Sequence, residues 1–397
     1  MRRARHVLLC WEFGAGNGHA RRLQSIGNRL EALGFTTAYG LRRPEVGTAI
    51  GIGEEKIRAA PNWPLKTSAP NADKDMTSAT YGDYLAQLML GPYDDLAERL
   101  LSWHDLIETE RPDLLVADYA PSVSLLSYGR IPVVAVGNGY TLPPSSLAVF
   151  PRLLKDAGLQ FDESDVVQRI NAALRPYNPH PIARYPEINR ADQHHLTTLP
   201  CLDPYREHRA GGSWLGAADM AGIVRQNETP RRFFSYFYES RQTDARLIDG
   251  LIQSGVPGEA VFGLPLRRTM RRLAAADIGA PEGLADLTVE LAQCGVLVHQ
   301  GSAGMTMAGI AAGLPQVMLP SDLEKSLNAR AVAEHGAGIA LGWSRFTAGD
   351  LAAAIREAVL DPAMRAAAGD LAQANAAFIG LDAAQEIAHA CAALFAG

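Results

Sequence analysis

Short apolar runs alternate with longer segments of helical periodicity along most of this chain. Such alternation is typical of α/β proteins, in which helices cover both faces of a parallel sheet. In the first half, the pattern predicts strands at 6–11, 36–39, 114–117 and 133–136 and helices at 20–33, 94–110 and 121–128. Residues 141–200 are rich in Pro, Asn, Tyr and His, which predicts long loops with short helices.

A second alternation begins at Arg232, after glycines at 211, 212 and 216 that indicate a linker ending near Pro230. It predicts strands at 233–240, 260–263, 296–298 and 317–319 and helices at 244–253, 304–312, 328–334, 348–359, 364–377 and 383–395. Two such halves predict an α/β protein with two doubly wound, Rossmann-like domains that face each other across a cleft. We place the domains at 1–222 and 223–378, followed by a C-terminal helix in 379–397.

The bulk composition narrows the function further. A chain of 397 residues is too long for one ordinary core, which supports two domains. Its net charge of -6 argues against nucleic acid as a partner, since phosphate contacts need a basic surface. One short stretch is nevertheless basic, and we interpret it as a solvated helix face. Its arginines are Arg267, Arg268, Arg271 and Arg272.

The cysteine spacing and the hydropathy of the sequence indicate in which cellular compartment the protein is expected. Four cysteines stand far apart in the sequence, at Cys10, Cys201, Cys294 and Cys391. This spacing predicts reduced core thiols rather than a disulfide framework or a zinc site. No apolar run reaches the ~18 residues that a membrane span requires. We therefore expect a cytoplasmic protein without a transmembrane segment.

The segment VLVHQGSAGMTMAGI, residues 296–310, joins an apolar strand to a helix through a turn of small residues. Ligands of open α/β sheets bind beyond the carboxyl ends of the strands, where His299 lies. The first amides of a helix have no partner within it and carry a partial positive charge, so they suit a phosphate. Gly301 and Ser302 allow close approach to the backbone, and His299 adds a donor. The pattern indicates a phosphate site; the alternative is a strand-to-helix turn without a ligand.

The segment LLCWEFGAGNGHARRL, residues 8–23, forms a second glycine-rich turn. Gly14 and Gly16 begin a dinucleotide fingerprint, but His19 occupies the place of its last glycine. The acidic residue expected ~20 residues further on is replaced by Ala38-Tyr39-Gly40. These departures argue against NAD binding.

Residues 299–340 resemble the nucleotide-sugar signature of the GT-B glycosyltransferases, in particular the UDP-glycosyltransferase family that glycosylates natural products. The matching positions are His299, Gly301, Ser302, Ala303, Gly304, Ala312-Gly313, Pro315-Gln316, Pro320, Glu324, Asn328-Ala329, Gly336 and Gly338. The resemblance implies a GT-B fold with the acceptor in the first domain and the donor in the second. It also implies that the last helix packs back on the first domain.

The same resemblance implies roles in the donor site. His299 and the backbone from Gly301 to Gly304 would hold the diphosphate, and Glu324 would bind sugar hydroxyls. Ser240 follows Glu239 where the family strand ends in Gly-Ser, and we include it among the donor-binding residues. A carboxylate at 239 would repel a diphosphate unless it turned away.

Two further positions of the donor site depart from the family pattern. Met305 replaces a Ser or Thr that touches phosphate, and Thr306 beside it is the expected substitute. Lys325 replaces a common Gln, which indicates an unusual or charged sugar, or a partner for Glu324.

In the acceptor domain the resemblance implies that His19 is the general base. The carboxylate that orients it matches Asp118, at the end of the strand in PDLLVADY. A neutral imidazole can take the proton of an acceptor hydroxyl, and a carboxylate on its other nitrogen fixes the tautomer. Alternatively, the two residues merely cap helices. Glu12 is the alternative base.

Other candidate motifs are weaker. Asp73-Lys74-Asp75 has the D-x-D pattern of metal-dependent GT-A enzymes, but we interpret it as a solvated turn. His194-His195 lacks partners at metal-ligand spacing. Aromatic residues of the irregular segments are candidates for an acceptor pocket or for the core: they are Trp63, Tyr81, Tyr84, Tyr93, Tyr140 and Phe150.

The sequence thus predicts an inverting, metal-independent glycosyltransferase without a cofactor. Its donor would be a nucleotide diphosphate sugar, UDP- or TDP-linked, and its acceptor a small hydrophobic or aromatic molecule with a hydroxyl group. Two alternatives stay open: a sugar-nucleotide epimerase of the same fold, and a degenerate glycosyltransferase that acts as a non-catalytic partner or ligand-binding protein.

Overall fold

The computed structural model describes residues 4–14, 16–61, 78–90, 96–154, 157–211, 214–216, 222–223, 231–283 and 285–395. The first half contains β1 (His6–Trp11), α1 (Gly18–Ala32), β2 (Thr36–Leu41), α2 (Pro44–Ala49), β3 (Ile57–Ala59), α3 (Tyr81–Met89), α4 (Leu96–Glu110), β4 (Leu114–Asp118), α5 (Pro121–Ser127), β5 (Val133–Gly137), α6 (Glu163–Leu174) and β6 (Gln193–Leu196). Most of the predicted linker, including Gly212 and Pro230, lies outside the described residues.

The second half repeats the alternation. It contains β7 (Phe233–Tyr236), α7 (Ala245–Gln253), β8 (Gly258–Val261), α8 (Arg267–Ala274), β9 (Ile278–Gly279), α9 (Leu287–Glu290), β10 (Val296–His299), α10 (Ala303–Ala311), β11 (Gln316–Met318), α11 (Leu323–Glu334), β12 (Gly338–Ala340), α12 (Ala348–Leu360), α13 (Pro362–Ala374), α14 (Ala376–Ile379) and α15 (Ala383–Ala393). Short 3₁₀ helices occur at Glu54–Lys56, Tyr185–Asn189, Pro200–Leu202, Arg206–His208 and Glu239–Thr243.

The strands form two six-stranded sheets, with the orders β3-β2-β1-β4-β5-β6 and β12-β11-β10-β7-β8-β9. All the paired strands run parallel. Counted along each half, both orders are the 3-2-1-4-5-6 order of the Rossmann fold, so the predicted fold class is confirmed. We call the β1–β6 sheet with its helices the first lobe, and the β7–β12 sheet with its helices the second lobe.

Each sheet has one point at which the strand order reverses. It lies between β1 and β4 in the first lobe and between β7 and β10 in the second. Connections leave such a point in opposite directions, and the crevice left at the carboxyl ends of the strands is where ligands of these folds bind. The glycine-rich turn and Asp118 lie at the first switch point, and His299 lies at the second.

The segment 141–200 contains more regular structure than the sequence analysis predicted. α6 begins at Asp162, whose side chain accepts from the first backbone amides, and buries Val166, Ile170 and Leu174 at helical spacing. β6 pairs with β5 as an edge strand. Its sequence, QHHL, is too polar to be recognised as a strand, because an edge strand need not be apolar throughout.

α11 also begins earlier than predicted, at Leu323 instead of residue 328. Asp322 caps it by accepting from the Lys325 amide. Glu324 therefore lies in the first turn of a helix. Leu323 and Leu327 of this helix pack against the hydrophobic core of the first lobe, so the two lobes are in contact here.

The end of the chain crosses between the lobes. α13 packs on α10 of the second lobe, whereas α15 packs on α1 of the first. Ile387 and Ala388 of α15 are buried in one cluster with Leu23 and Ile26 of α1. The two boundaries given above, after residues 222 and 378, stay predictions. None of the helices within the described ranges is both long enough and apolar enough to cross a bilayer.

Candidate active site

His19 and Asp118 come together at the first switch point. His19 lies in the first turn of α1, and Asp118 is the last residue of β4, the strand that pairs with β1. His19 Nδ1 and Asp118 Oδ1 are 2.9 Å apart, and Arg22 Nη1 donates to Asp118 Oδ2 at 2.7 Å. Burial alone would raise the pKa of Asp118, but Arg22 and His19 outweigh it and hold that pKa below its usual value. The carboxylate therefore stays charged and accepts from Nδ1–H, which leaves Nε2 as a hydrogen-bond acceptor.

The glycine-rich turn is shaped around the His19 ring. Gly14 has φ +90°, and a Cβ on it would lie 2.4 Å from His19 Nε2. The turn is held by Arg42, which donates to the Gly14 carbonyl at 2.9 Å, and by Phe13, whose amide donates to the Tyr119 carbonyl at 3.0 Å. Residue 14 must therefore be a glycine for the imidazole to lie where it does.

Glu12 bonds to Ser122, although it is close to the glycine-rich turn in sequence. It is fully buried and accepts hydrogen bonds from the amide and the hydroxyl of Ser122 at the start of α5, at 3.0 and 2.5 Å. The alternative assignment of Glu12 as the base is therefore not favoured by the geometry.

His299 is buried in the protein interior and does not reach the surface of the turn that follows it. Its side chain is completely buried; Nε2 is 2.9 Å from Gln316 Oε1, and the Gly301 amide donates to Nδ1 at 3.1 Å. Burial lowers the pKa of His299 to about 4 against the opposing effect of the hydrogen bond that Nε2–H donates to Gln316, so the ring is neutral at pH 7. Neither nitrogen is available to a phosphate in this arrangement, which corrects the expectation that His299 donates directly. The ring instead supports Gly301, whose φ is +85°.

Thr306 requires a similar correction. Thr306 is fully buried, and its hydroxyl donates to the Ser302 carbonyl one turn back, at 2.9 Å. The Thr306 hydroxyl therefore does not substitute for the phosphate-binding Ser or Thr that Met305 replaces. Met305 itself is buried among apolar side chains of the second lobe.

The start of α10 presents unpaired backbone amides. The helix begins after Ser302, whose side chain makes no capping hydrogen bond, and no acidic residue occupies the first turn. The first amide bonded within the helix is that of Thr306, to the Ser302 carbonyl. Gly304 is exposed, and a Cβ on it would meet no atom within 4 Å. Gly304 thus adjoins open space at the positive end of the helix dipole, in the first turn, whose amides have no partner within the helix.

Glu324 and Lys325 lie between the two lobes. Asn138 Nδ2, just beyond β5 of the first lobe, donates to Glu324 Oε1 at 2.8 Å. The pKa of Glu324 is raised overall. Burial and the Asp322 charge raise it by more than Lys325, His19 and Asn138 lower it.

Lys325 is paired with Asp322, not with Glu324 as one interpretation of the sequence held. Burial would lower the pKa of Lys325, but Asp322 and Tyr238 outweigh it and raise that pKa. Its ammonium lies 5.6 Å from the centroid of the Tyr238 ring. The Tyr238 hydroxyl in turn approaches the glycine-rich turn, 3.4 Å from where a Cβ on Gly16 would lie. Tyr238 therefore connects the second lobe to the first, a contact that no sequence motif indicated.

Ser240 and Glu239 are both exposed, in the 3₁₀ helix Glu239–Thr243 after β7. The Ser240 carbonyl accepts from the Thr243 hydroxyl at 3.0 Å. The Glu239 carboxylate is thus at the surface, and its orientation relative to a diphosphate stays a prediction.

The remaining candidates divide into three groups. Trp63, Asp73, Lys74, Asp75 and Tyr93 lie outside the described residues. Tyr81, Tyr140 and Phe150 are buried in the core of the first lobe, and Tyr84 packs against it while partly exposed. His194 and His195 bond to Asn189 and Gln193, and nowhere in the described part of the chain do three or more metal-binding side chains cluster. All four cysteines are free thiols.

The sequence analysis missed three residues that complete the site: Arg22, Asn138 and Asp322. Arg22 is three residues after His19 on α1, so helical spacing could have indicated it. Asp322 precedes Glu324 as an N-cap. Asn138 had no signal, because its partner lies in the other half of the chain.

Part of this chain is similar in sequence to known proteins. Residues 283–394 match the family described as the erythromycin biosynthesis protein CIII-like, C-terminal domain (EryCIII-like). The chain is 39% identical over 85 residues to the elloramycin glycosyltransferase ElmGT of Streptomyces olivaceus, a segment that covers 21% of this chain and 22% of that relative. The chain thus spans about a fifth of the length of this curated relative.

Solved structures match over nearly the whole chain. The glycotransferase of kitacinnamycin has a TM-score of 0.68 at 17% identity and covers 98% of both chains. The glycosyltransferase VinC in complex with dTDP has a TM-score of 0.63 at 16% identity and covers 94% of this chain and 96% of its own. The chain therefore has the fold of these glycosyltransferases, which is the two-domain GT-B fold that the sequence predicted, and its residues 283–394 are similar to the EryCIII-like C-terminal domain.

Proposed function

We propose that this protein is a glycosyltransferase that moves a sugar from a nucleotide diphosphate sugar to a hydroxyl of a small acceptor, with inversion of the anomeric carbon. The observation that carries the proposal is the position of two chemically different sites at the two switch points. A histidine–carboxylate pair lies at one, and an uncapped helix N-terminus lies at the other. Glu324 lies between the lobes and bonds to Asn138 of the first lobe.

His19 is the proposed general base. With Nδ1–H donating to Asp118, the lone pair of Nε2 can take the proton of the acceptor hydroxyl while the oxygen attacks the anomeric carbon. Asp118 and Arg22 keep the ring in one orientation, and the carboxylate stabilises the imidazolium that forms. Attack from the face opposite the leaving diphosphate gives inversion.

The proposed diphosphate site is the start of α10. The amides of Ser302, Ala303 and Gly304 would donate to phosphate oxygens, and the helix dipole would stabilise the negative charge that grows on the leaving group. We assign His299 a supporting role, since its ring holds the Gly301 amide and not a phosphate. These amides supply positive charge in a fixed position, so the proposed reaction needs neither a metal nor a cofactor.

The sugar is proposed to lie beside Glu324, Lys325 and Ser240. Its hydroxyls would bond to the Glu324 carboxylate, while Lys325, already paired with Asp322, would donate. VinC is solved in complex with dTDP, which favours TDP or UDP as the nucleotide. The acceptor would be a small hydrophobic or aromatic molecule with a hydroxyl group, and it would bind in the first lobe next to His19.

The direct test is transfer from UDP- and dTDP-sugars to a panel of phenolic and alcoholic small molecules, followed by mass spectrometry. His19→Ala should lose roughly 10²- to 10⁴-fold in turnover, the usual size of a general-base effect. Calorimetry should find its affinity for dTDP and UDP unchanged. His389→Ala, at an exposed histidine of α15, is the matched control and should keep full activity.

The outcomes separate the alternatives. Wild-type turnover in His19→Ala would remove His19 from the reaction. Donor turnover without any acceptor would favour the epimerase, and donor binding without transfer to any acceptor would favour the non-catalytic partner. Product configuration, read by NMR, tests inversion.

A further inference from the structure

Tyr119 combines two unfavourable features next to the catalytic pair. It follows Asp118 directly, and its backbone has φ +49°, a conformation that bulky residues rarely adopt. Its side chain is only 6% exposed, yet its hydroxyl has no hydrogen-bond partner among the described residues. A buried hydroxyl without a partner has lost its hydration without compensation, so it destabilises the free protein.

The surroundings of Tyr119 place it at the first switch point. Its ring centroid lies 6.0 Å from that of His19 and 5.5 Å from that of Phe13. Its carbonyl accepts from the Phe13 amide, so the backbone conformation is tied to the glycine-rich turn. Burial, with neighbouring tyrosines and Glu324 of the other lobe, raises the pKa of the Tyr119 hydroxyl.

Neighbouring tyrosines show that pairing is available in this core. The Tyr81 hydroxyl donates to the Thr141 carbonyl and the Tyr185 hydroxyl to the Gly82 carbonyl, both at 3.2 Å. Tyr205 is the exception: it is also buried and unpaired, but the described residues give its ring no contact with the ring of His19. Tyr119 differs from Tyr205 in bordering the catalytic pair.

We propose that Tyr119 is a positioning residue for the acceptor: its hydroxyl donates a hydrogen bond to a second oxygen of the acceptor, adjacent to the hydroxyl that reacts at His19. This inference rests on the proposed function. It narrows the acceptor class to rings that carry two oxygens on neighbouring positions, such as catechols. The missing hydrogen bond is formed only when such a molecule is bound, so its energy contributes to the affinity for the acceptor and appears in KM.

The test compares Tyr119→Phe and the matched control Tyr205→Phe with the wild type, on a catechol-bearing acceptor and on its phenol counterpart. Tyr119→Phe should raise the KM for the catechol by ~10-fold, the value of one hydrogen bond, and leave kcat within about 2-fold. The KM for the phenol should stay the same. Tyr205→Phe should change neither constant. Neither variant should have a lower Tm, because each loses an unpaired hydroxyl.

An unchanged catechol KM in Tyr119→Phe would overturn the proposal, as would equal effects of the two variants. A lower Tm in Tyr119→Phe would mean that its hydroxyl has a partner in the free protein, which also contradicts it. If the wild type transfers no sugar, the proposed function fails separately. The affinities of the catechol and the phenol, measured by calorimetry on the same variants, then decide the role of Tyr119.

Discussion

At the scale of single residues, the His19 ring fills the space that a side chain at position 14 would need. A Cβ on Gly14 would lie 2.4 Å from Nε2, the atom proposed to take the proton. Gly14→Ala should therefore displace the imidazole and lower turnover about 10²-fold, since small misplacements of catalytic groups cost that much. The positive φ should add roughly 1–3 kcal/mol of strain. Steady-state kinetics and urea unfolding measure the two effects.

Gly34→Ala separates the effect of strain from that of steric displacement. Gly34 has φ +87° with no atom near its Cβ position, so that variant should be strained but fully active. Equal turnover in both variants would contradict the proposed steric role of Gly14.

Single residues also show what the sequence could and could not predict. The proximity of His19 and Asp118 was predictable, because both follow strands whose carboxyl ends meet at one sheet edge. The hydrogen-bonding of His299 was not, because its partner Gln316 belongs to the next strand and the ring could equally have faced outwards. A motif fixes the position of a residue in the chain more firmly than the direction of its side chain.

At the scale of elements, α10 offers a test in which stability and binding should change in opposite directions. Gly304→Asp places a carboxylate at the exposed start of the helix, where no acidic residue now lies. The dipole should stabilise that charge by about 0.3–1 kcal/mol and keep or raise the Tm. The same charge should repel a diphosphate and weaken dTDP binding by about 10-fold or more, which corresponds to roughly 1.4 kcal/mol. Thermal unfolding measures the change in Tm, and calorimetry measures the affinity for dTDP.

Gly304→Ala is the control: it has open space for its Cβ and should bind dTDP normally. Unchanged affinity in Gly304→Asp would place the diphosphate elsewhere.

The start of α11 shows the limit of predicting elements from periodicity. The sequence analysis began this helix at 328. The structure begins it at Leu323, since the apolar partners of Leu323 and Leu327 come from the other lobe. Periodicity reflects burial within one domain and says little about a helix that packs against two.

At the scale of the whole molecule, the last helix connects the lobes and can be weakened separately. Ile387 of α15 is completely buried against α1, although the chain before it packs on the second lobe. Ile387→Ala should lower the free energy of unfolding by about 2–5 kcal/mol, the usual cost of truncating a buried isoleucine. Urea unfolding followed by circular dichroism measures it. Glu386→Ala, at an exposed neighbour, should stay within about 0.5 kcal/mol of the wild type. Wild-type stability in Ile387→Ala would mean that α15 does not pack on α1.

The two-lobe architecture itself was predictable, because strand and helix patterns repeat in both halves. The six-stranded width of the sheets was not, since edge strands such as β3, β6 and β9 are short or polar.

Because α11 contacts both lobes, it limits how one half of this protein could be exchanged for that of another protein with the same fold. Leu323 inserts into the core of the first lobe while the next residue, Glu324, bonds to Asn138. Under the proposed function, donor preference and acceptor preference would therefore depend on each other through this helix. A hybrid that joined this N-terminal half to a foreign C-terminal half would need a compatible side chain at 138 and a cavity for residue 323 to keep the carboxylate at 324, which we propose binds the sugar, in its present position.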